Sequence, residues 1–198
     1  MSAAIVVLQR GMRRLFRISG VLAVLVGLLT GSVRDAHTQP NGGPVSIMLI
    51  RHAEDVGVSG EDLSPRGYER AEALPRLFSS RLPRPDVIIA TRASKESNRP
   101  IETMEPLSRQ LHVPIDDRFR DKDYQALAHA LLTDARYAGK VVLVCWHHGK
   151  IPNLAKAIGV TAAPRWPDSQ FDRVWVIDPR RAPATYSEVH QRLLDGDQ

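Results

Sequence analysis

The sequence predicts an α/β domain, a three-layer α/β/α sandwich around a mostly parallel central sheet. Three observations lead there. Short apolar runs rich in β-branched residues recur along the chain, amphipathic helical patterns separate them, and 198 residues suffice for one sizeable core with little left for a second. Strands alternating with helices favour parallel pairing, because a parallel neighbour needs a crossover that a helix supplies.

Taken in order, the first strand is expected at "VSIMLI" (45–50) and a helical pattern at "SPRGYERAEALPRLFSSRL" (64–82). Ser64 suits the helix N-cap, and Pro65 suits the first helical position, where a missing N–H costs nothing. "DVIIA" (86–90) predicts a second strand, followed by helical patterns over 99–111 and 122–133. "VVLVCW" (141–146) predicts a third strand, 151–158 a helix, and "RVWVID" (173–178) a fourth strand. The last candidate, "TYSEVHQRLL" (185–194), is more polar and is expected at a sheet edge.

Ahead of this domain, residues 1–38 have the layout of an export signal or an N-terminal membrane anchor. A basic stretch runs to Arg17, the apolar run "ISGVLAVLVGLLTG" (18–31) follows, and Ala36 and Thr38 lie near a possible cut. A signal implies a secreted or periplasmic protein; an uncleaved segment implies contact with a membrane. Met12 opens a tidier leader than Met1 does. Residues 39–44 read as a linker and 45–198 as the domain. Five arginines against one aspartate give the leader four of the chain's net +5 charges. The domain is therefore nearly neutral, and no nucleic-acid partner is implied. Cys145 is the only cysteine and sits in an apolar strand, where a free thiol packs as a small apolar group.

Open α/β sheets bind ligands beyond the carboxyl ends of their strands. Three polar clusters lie at such ends: Arg51–His52 after the first strand, "TRASKESNR" (91–99) after the second, and His147–His148 after the third. A neutral imidazole can attack phosphorus through a ring nitrogen, and guanidinium groups suit the phosphoryl oxygens in bidentate geometry. An arginine directly beside the histidine fits that chemistry. Trp146, Trp166 and Trp175 read as packing residues, and Glu69, Arg70 and Glu72 as a solvated helix face. His112, His129 and His190 show no metal-ligand spacing.

"LIRHAE" (49–54), "LSPRGYERAEAL" (63–74), "RPIETMEPL" (99–107) and "VVLVCWHHGKIP" (141–152) together resemble the histidine phosphatase, or phosphoglycerate mutase-like, superfamily. The resemblance spans roughly residues 45–195 and implies the phosphoglycerate mutase-like fold. It implies His52 as nucleophile, with Arg51, Arg99 and His148 binding the phosphoryl oxygens and His147 as the alternative to His148. Arg92 is nearer the strand end than Arg99 but lacks a threonine four residues later; it and Lys95 could touch substrate. The family's general acid varies in position, so Glu54, Asp121 and Asp123 all stand as candidates. No metal or cofactor is implied. The missing His-Asp dipeptide at His148–Gly149 argues against the phytase branch. The resemblance implies hydrolysis of a phosphomonoester, a phosphorylated small molecule or phosphoprotein, through a phosphohistidine. The alternatives are a phosphomutase, which returns the phosphate to another hydroxyl, and a non-catalytic phospho-ligand or partner-binding module.

Overall fold

The computed structural model describes residues 42–57 and 61–197; the leader and most of the linker lie outside them. Among the described residues six strands are present: β1 (Ser46–Arg51), β2 (Val87–Ala90), β3 (Ile115–Asp116), β4 (Val141–Trp146), β5 (Arg173–Asp178) and β6 (Thr185–His190). Five helices accompany them: α1 (Pro65–Ala73), α2 (Pro75–Ser80), α3 (Arg99–Leu111), α4 (Tyr124–Thr133) and α5 (Ile151–Ile158). The strands form one sheet in the order β3-β2-β4-β1-β5-β6. β3, β2, β4 and β1 pair in parallel, whereas β5 pairs antiparallel with both β1 and β6.

Alternation along β1 and β4 builds the layers, since successive side chains of a strand point to opposite faces. Ile47 and Leu49 join Val142 and Val144 in a core with α4 and α5, through Leu127, Leu131, Leu154 and Ile158. Met48 and Ile50 join Leu143 and Cys145 in a second core with α2 and α3, through Leu77, Phe78, Met104 and Leu107. Both faces of the sheet are therefore covered, as a parallel sheet requires. Cys145 is fully buried, and the three tryptophans are packed inside, with the Trp166 and Trp175 rings 5.0 Å apart.

The expected helix over 64–82 is two helices. Pro75 has no N–H to continue the ladder, so α1 ends at Ala73 and α2 begins at Pro75. Ser64 caps α1, its Oγ accepting from the Gly67 N–H at 3.1 Å. The short β3 was not expected; two residues carry no periodic signal. Arg70 is also not on a solvated face. It is 3% exposed, and its guanidinium bonds both Glu54 and Asp197 through paired contacts of 2.7–2.9 Å.

Candidate active site

The parallel core strands β1, β2 and β4 all end at one sheet edge, and their register determines which side chains meet there. Arg51 pairs with Trp146, so the next residues, His52 and His147, lie side by side. The His52 N–H donates to the Trp146 carbonyl at 3.1 Å, and the two imidazole centroids are 5.2 Å apart in an edge-on arrangement. The two adjacent histidines, His148 preferred from the resemblance and His147 its alternative, thus take different positions. His147 faces His52, while His148, one residue on, turns its Nε2 to Asp168 Oδ1 at 3.4 Å.

His52 is 2% exposed. Its Nδ1 lies 2.7 Å from the Ala53 carbonyl oxygen. A carbonyl only accepts, so Nδ1 carries the proton and Nε2 keeps its lone pair. Burial pushes the imidazole pKa down to about 2; the Ala53 carbonyl opposes this, while Arg51, His147 and Arg99 add to it. The ring is neutral throughout the physiological range. The Ala53 N–H donates to Thr103 Oγ1 at 2.9 Å, and that hydroxyl donates to the Arg99 carbonyl at 2.7 Å. The first turn of α3 is thereby tied to the backbone beside His52.

Arg51 is 5% exposed and is held on several sides. It donates to the Asp168 carbonyl and stacks over the Phe171 ring, with 3.8 Å from guanidinium carbon to ring centroid. Arg99, the first residue of α3, donates through Nε to Ser97 Oγ at 2.9 Å. The Asp55 carboxylate joins the two arginines, with Oδ2 3.4 Å from Arg51 Nη2 and 3.3 Å from Arg99 Nη1. Burial lowers the Arg51 pKa to about 10, opposed by Asp55 and Asp168, which leaves it cationic at neutral pH. Burial likewise lowers His147 to about 4, and Arg99 adds to that shift.

Arg99, His147, Thr91 and Asp121 line one cavity of about 490 Å³, together with Arg92, Arg120 and Lys122. Among the described residues, five buried side-chain polar atoms lack a hydrogen-bond partner: Arg51 Nε, Thr91 Oγ1, Asp121 Oδ1, His148 Nδ1 and Ser46 Oγ. Four of them belong to residues at this sheet edge. Orphan polar atoms are rare in folded proteins, and their grouping here marks a surface arranged for a polar ligand.

The candidate acids fall in different places. Glu54 turns away and is held by Arg70, at 2.7 and 2.9 Å, and by Arg66 at 3.3 Å, so it is tied up in ion pairs. Asp123 accepts from the Arg120 N–H at 3.1 Å and caps the single 3-10 turn Asp121–Asp123. Asp121 remains. Its carbonyl accepts from Trp146 Nε1 at 3.3 Å, its Oδ1 has no partner, and burial raises its pKa, with Lys150 opposing. Arg92 lines the cavity, whereas Lys95 is exposed outside its lining.

Sequence reasoning missed Asp55, Phe171 and Asp168. Asp55 adjoins the Arg51–His52 cluster and lies four residues beyond Arg51, a signal that could have been used. The loop "PDSQFD" (167–172) carries no pattern that would place it over Arg51. Among the described residues, no group of three or more His, Cys, Asp or Glu is arranged to hold a metal ion.

Comparison of the sequence finds no matching family model and no matching curated protein. Solved structures do match. A protein assigned as the phosphohistidine phosphatase SixA from Agrobacterium tumefaciens aligns at TM-score 0.50 and 19% identity, over 74% of this chain and 98% of that one. A mycobacterial glucosyl-3-phosphoglycerate phosphatase, solved with inorganic phosphate, aligns at 0.52 and 13%, over 72% and 95%. A phosphoglycerate mutase from Bacillus anthracis aligns at 0.51 and 14%, over 75% and 94%. With the sheet order and both cores in hand, these likenesses establish the architecture: the chain has the phosphoglycerate mutase-like fold.

Proposed function

We propose that the protein hydrolyses a phosphomonoester through a phosphohistidine on His52. The observation that carries this reading is the 2.7 Å contact from His52 Nδ1 to the Ala53 carbonyl, which leaves Nε2 unprotonated in a buried ring that feels the charges of Arg51 and Arg99. The Nε2 lone pair attacks phosphorus as the ester P–O bond breaks. Arg51 and Arg99 hold the phosphoryl oxygens, and His147 lies against the same group. Asp121 gives its carboxyl proton to the leaving oxygen, releasing the alcohol. Water then attacks the phosphohistidine, returns a proton to Asp121, and leaves inorganic phosphate and a neutral imidazole.

The test is phosphate release from 4-nitrophenyl phosphate. Turnover by the wild type is expected to fall at least about a thousandfold in His52→Ala, and the wild type should carry acid-labile, histidine-bound phosphate during turnover. Full activity in His52→Ala would refute the assignment. Transfer of phosphate to another hydroxyl in place of release would favour the mutase, and phosphate binding without turnover would favour the binding module.

A further inference from the structure

We infer that Phe171 is a positioning residue: its ring, fixed by the buried Gln191, clamps the Arg51 guanidinium so that the Nε–Nη2 edge is presented to a phosphoryl group. The inference rests on the phosphatase reading above and concerns how that same site is kept ready.

Arg51 uses its donors unequally. Nη1 donates to the Asp168 carbonyl, Nη2 meets Asp55 Oδ2 at 3.4 Å, and Nε is buried without a hydrogen-bond partner among the described residues. Leaving a buried N–H unpaired is costly, and such groups are rare. Nε and Nη2 lie on one edge of the planar group and form a fork that fits two oxygens of a phosphoryl group. That edge holds only the long contact to Asp55, whereas Nη1 is committed to the protein.

Once a phosphoryl group displaces Asp55, the Asp168 carbonyl and the Phe171 ring remain on the guanidinium. A single hydrogen bond lets the plane turn about it; a ring face stacked on the plane opposes that rotation. The ring centroid is 3.8 Å from the guanidinium carbon. The same ring meets the His52 imidazole edge-on at 6.3 Å between centroids, within the range of about 4.5–7 Å for such pairs. One side chain thus sets the arginine and packs against the histidine next to it in the chain. A carboxylate in that place would also hold Arg51 but would compete with the charge of the substrate. The ring attracts the cation without neutralising it.

The ring is itself fastened from behind. Gln191 is 1% exposed, and its Nε2 donates to the carbonyls of Phe171 and Arg173 at 3.2 and 3.4 Å. Its N–H donates to the Asp172 carbonyl at 2.6 Å, and its Oε1 accepts from Arg70 Nη1 at 3.5 Å. At the other end of the loop the buried Trp166 donates through Nε1 to the Gln170 carbonyl at 2.9 Å. A loop held at both ends orders the ring before substrate arrives, so little ordering is left for binding.

The test measures kcat/KM for 4-nitrophenyl phosphate and Kd for inorganic phosphate in the wild type, Phe171→Leu and Phe171→Tyr. Leucine keeps the apolar bulk but has no ring face, and should lower kcat/KM by about tenfold to a hundredfold. Tyrosine keeps the face, and its hydroxyl can enter the adjoining cavity of about 260 Å³ that Phe171 lines. It should stay within about threefold of the wild type. In an Arg51→Lys background, which has no planar fork to align, Phe171→Leu should cost less than about threefold, read on Kd if that background has no turnover. A leucine variant as active as the wild type, a tyrosine variant as impaired as the leucine one, or the same loss in both backgrounds overturns the inference. If Phe171→Leu does not fold, the wild type gives the reading by proton NMR. The Arg51 Nε–H signal, assigned by its absence in Arg51→Lys, should be shifted upfield by the ring current, and a signal at the ordinary arginine position overturns the inference. An active wild type with an indifferent Phe171→Leu loses only this inference. A wild type that turns over no ester loses the phosphatase reading, and the clamp is then judged on phosphate binding, where Phe171→Leu should raise Kd by about tenfold. An unchanged Kd, or no phosphate binding by the wild type, overturns the clamp as well.

Discussion

In the proposed mechanism Asp55 holds the place between the two arginines where the oxygens of a phosphoryl group would sit, so a substrate would have to displace it. Its Oδ2 is 3.4 Å from Arg51 and 3.3 Å from Arg99. At an effective dielectric of ~20 each pair is worth about 5 kcal/mol of gross Coulomb energy. Partial exposure and the water regained on release cut this to ~1 kcal/mol or less per pair. Removing the charge should therefore spare a ligand ~1–2 kcal/mol, which is roughly a five- to thirtyfold fall in Kd. Asp55→Asn is the perturbation of choice, because the amide oxygen can still accept from the Gly57 N–H, now 3.0 Å from Asp55 Oδ1. The assay is calorimetric titration of each protein with inorganic phosphate, with thermal melts as a control for folding. A Kd that stays the same, or rises, would refute the reasoning and make Asp55 a brace that orients the arginines for phosphate.

Asp121→Asn should lower kcat for alkyl phosphates by about 10²–10³ and far less for 4-nitrophenyl phosphate, whose phenolate leaves without a proton. Because burial raises the Asp121 pKa and the working form is protonated, wild-type activity should decline as pH rises through that value, a limb that rate profiles of the variant should lack. Arg70→Met strands Glu54 and Asp197 and should destabilise the fold by about 3–5 kcal/mol in urea denaturation. Burial opposes it, but the bonds from Arg70 and the Leu193 and Leu194 amides pull Asp197 down to about 2. A depressed carboxylate stabilises fully above its unfolded pKa of ~3.9 and ceases to as pH falls through the folded value. Wild-type stability should thus drop between about pH 4 and 2, and Arg70→Met should show a shallower drop. Gly67→Ala would place a Cβ 2.1 Å from the Glu54 carbonyl oxygen, two residues past His52. It should cost ~1–3 kcal/mol and lower kcat together with stability; a neutral effect on both would show that α1 can shift away freely.

Elements with a strong local signal were legible in the sequence. The runs at 141–146 and 173–178 are strands with those limits, and the patterns at 99–111 and 151–158 are helices with those limits. Such segments are decided by side-chain periodicity and by where proline and cap residues fall, which act within a few residues. The neighbouring clusters at Arg51–His52, Arg99 and His147–His148 were legible for a related reason: a strand's carboxyl end is a position that chain order alone identifies. The break at Pro75 was written in the same letters but was outweighed by the apolar pattern running through it.

The sequence by itself thus determined the longer strands and helices and which residues stand at their ends, though neither the two-residue β3 nor the break between α1 and α2. Tertiary structure alone decided what those residues touch. Only the pairing of Arg51 with Trp146 puts His147 rather than His148 against His52, because a one-residue change of register sends a side chain to the opposite face. Only the fold brings Arg70 to Glu54 and Asp197, 16 and 127 residues away in the chain, and turns an apparent surface arginine into a buried one. Glu54 is thereby occupied, and Asp121 is left with an unpartnered oxygen in the cavity. Local signals are additive along the chain, whereas burial and pairing depend on which distant groups share a space, and that is settled by the packing of the whole sheet.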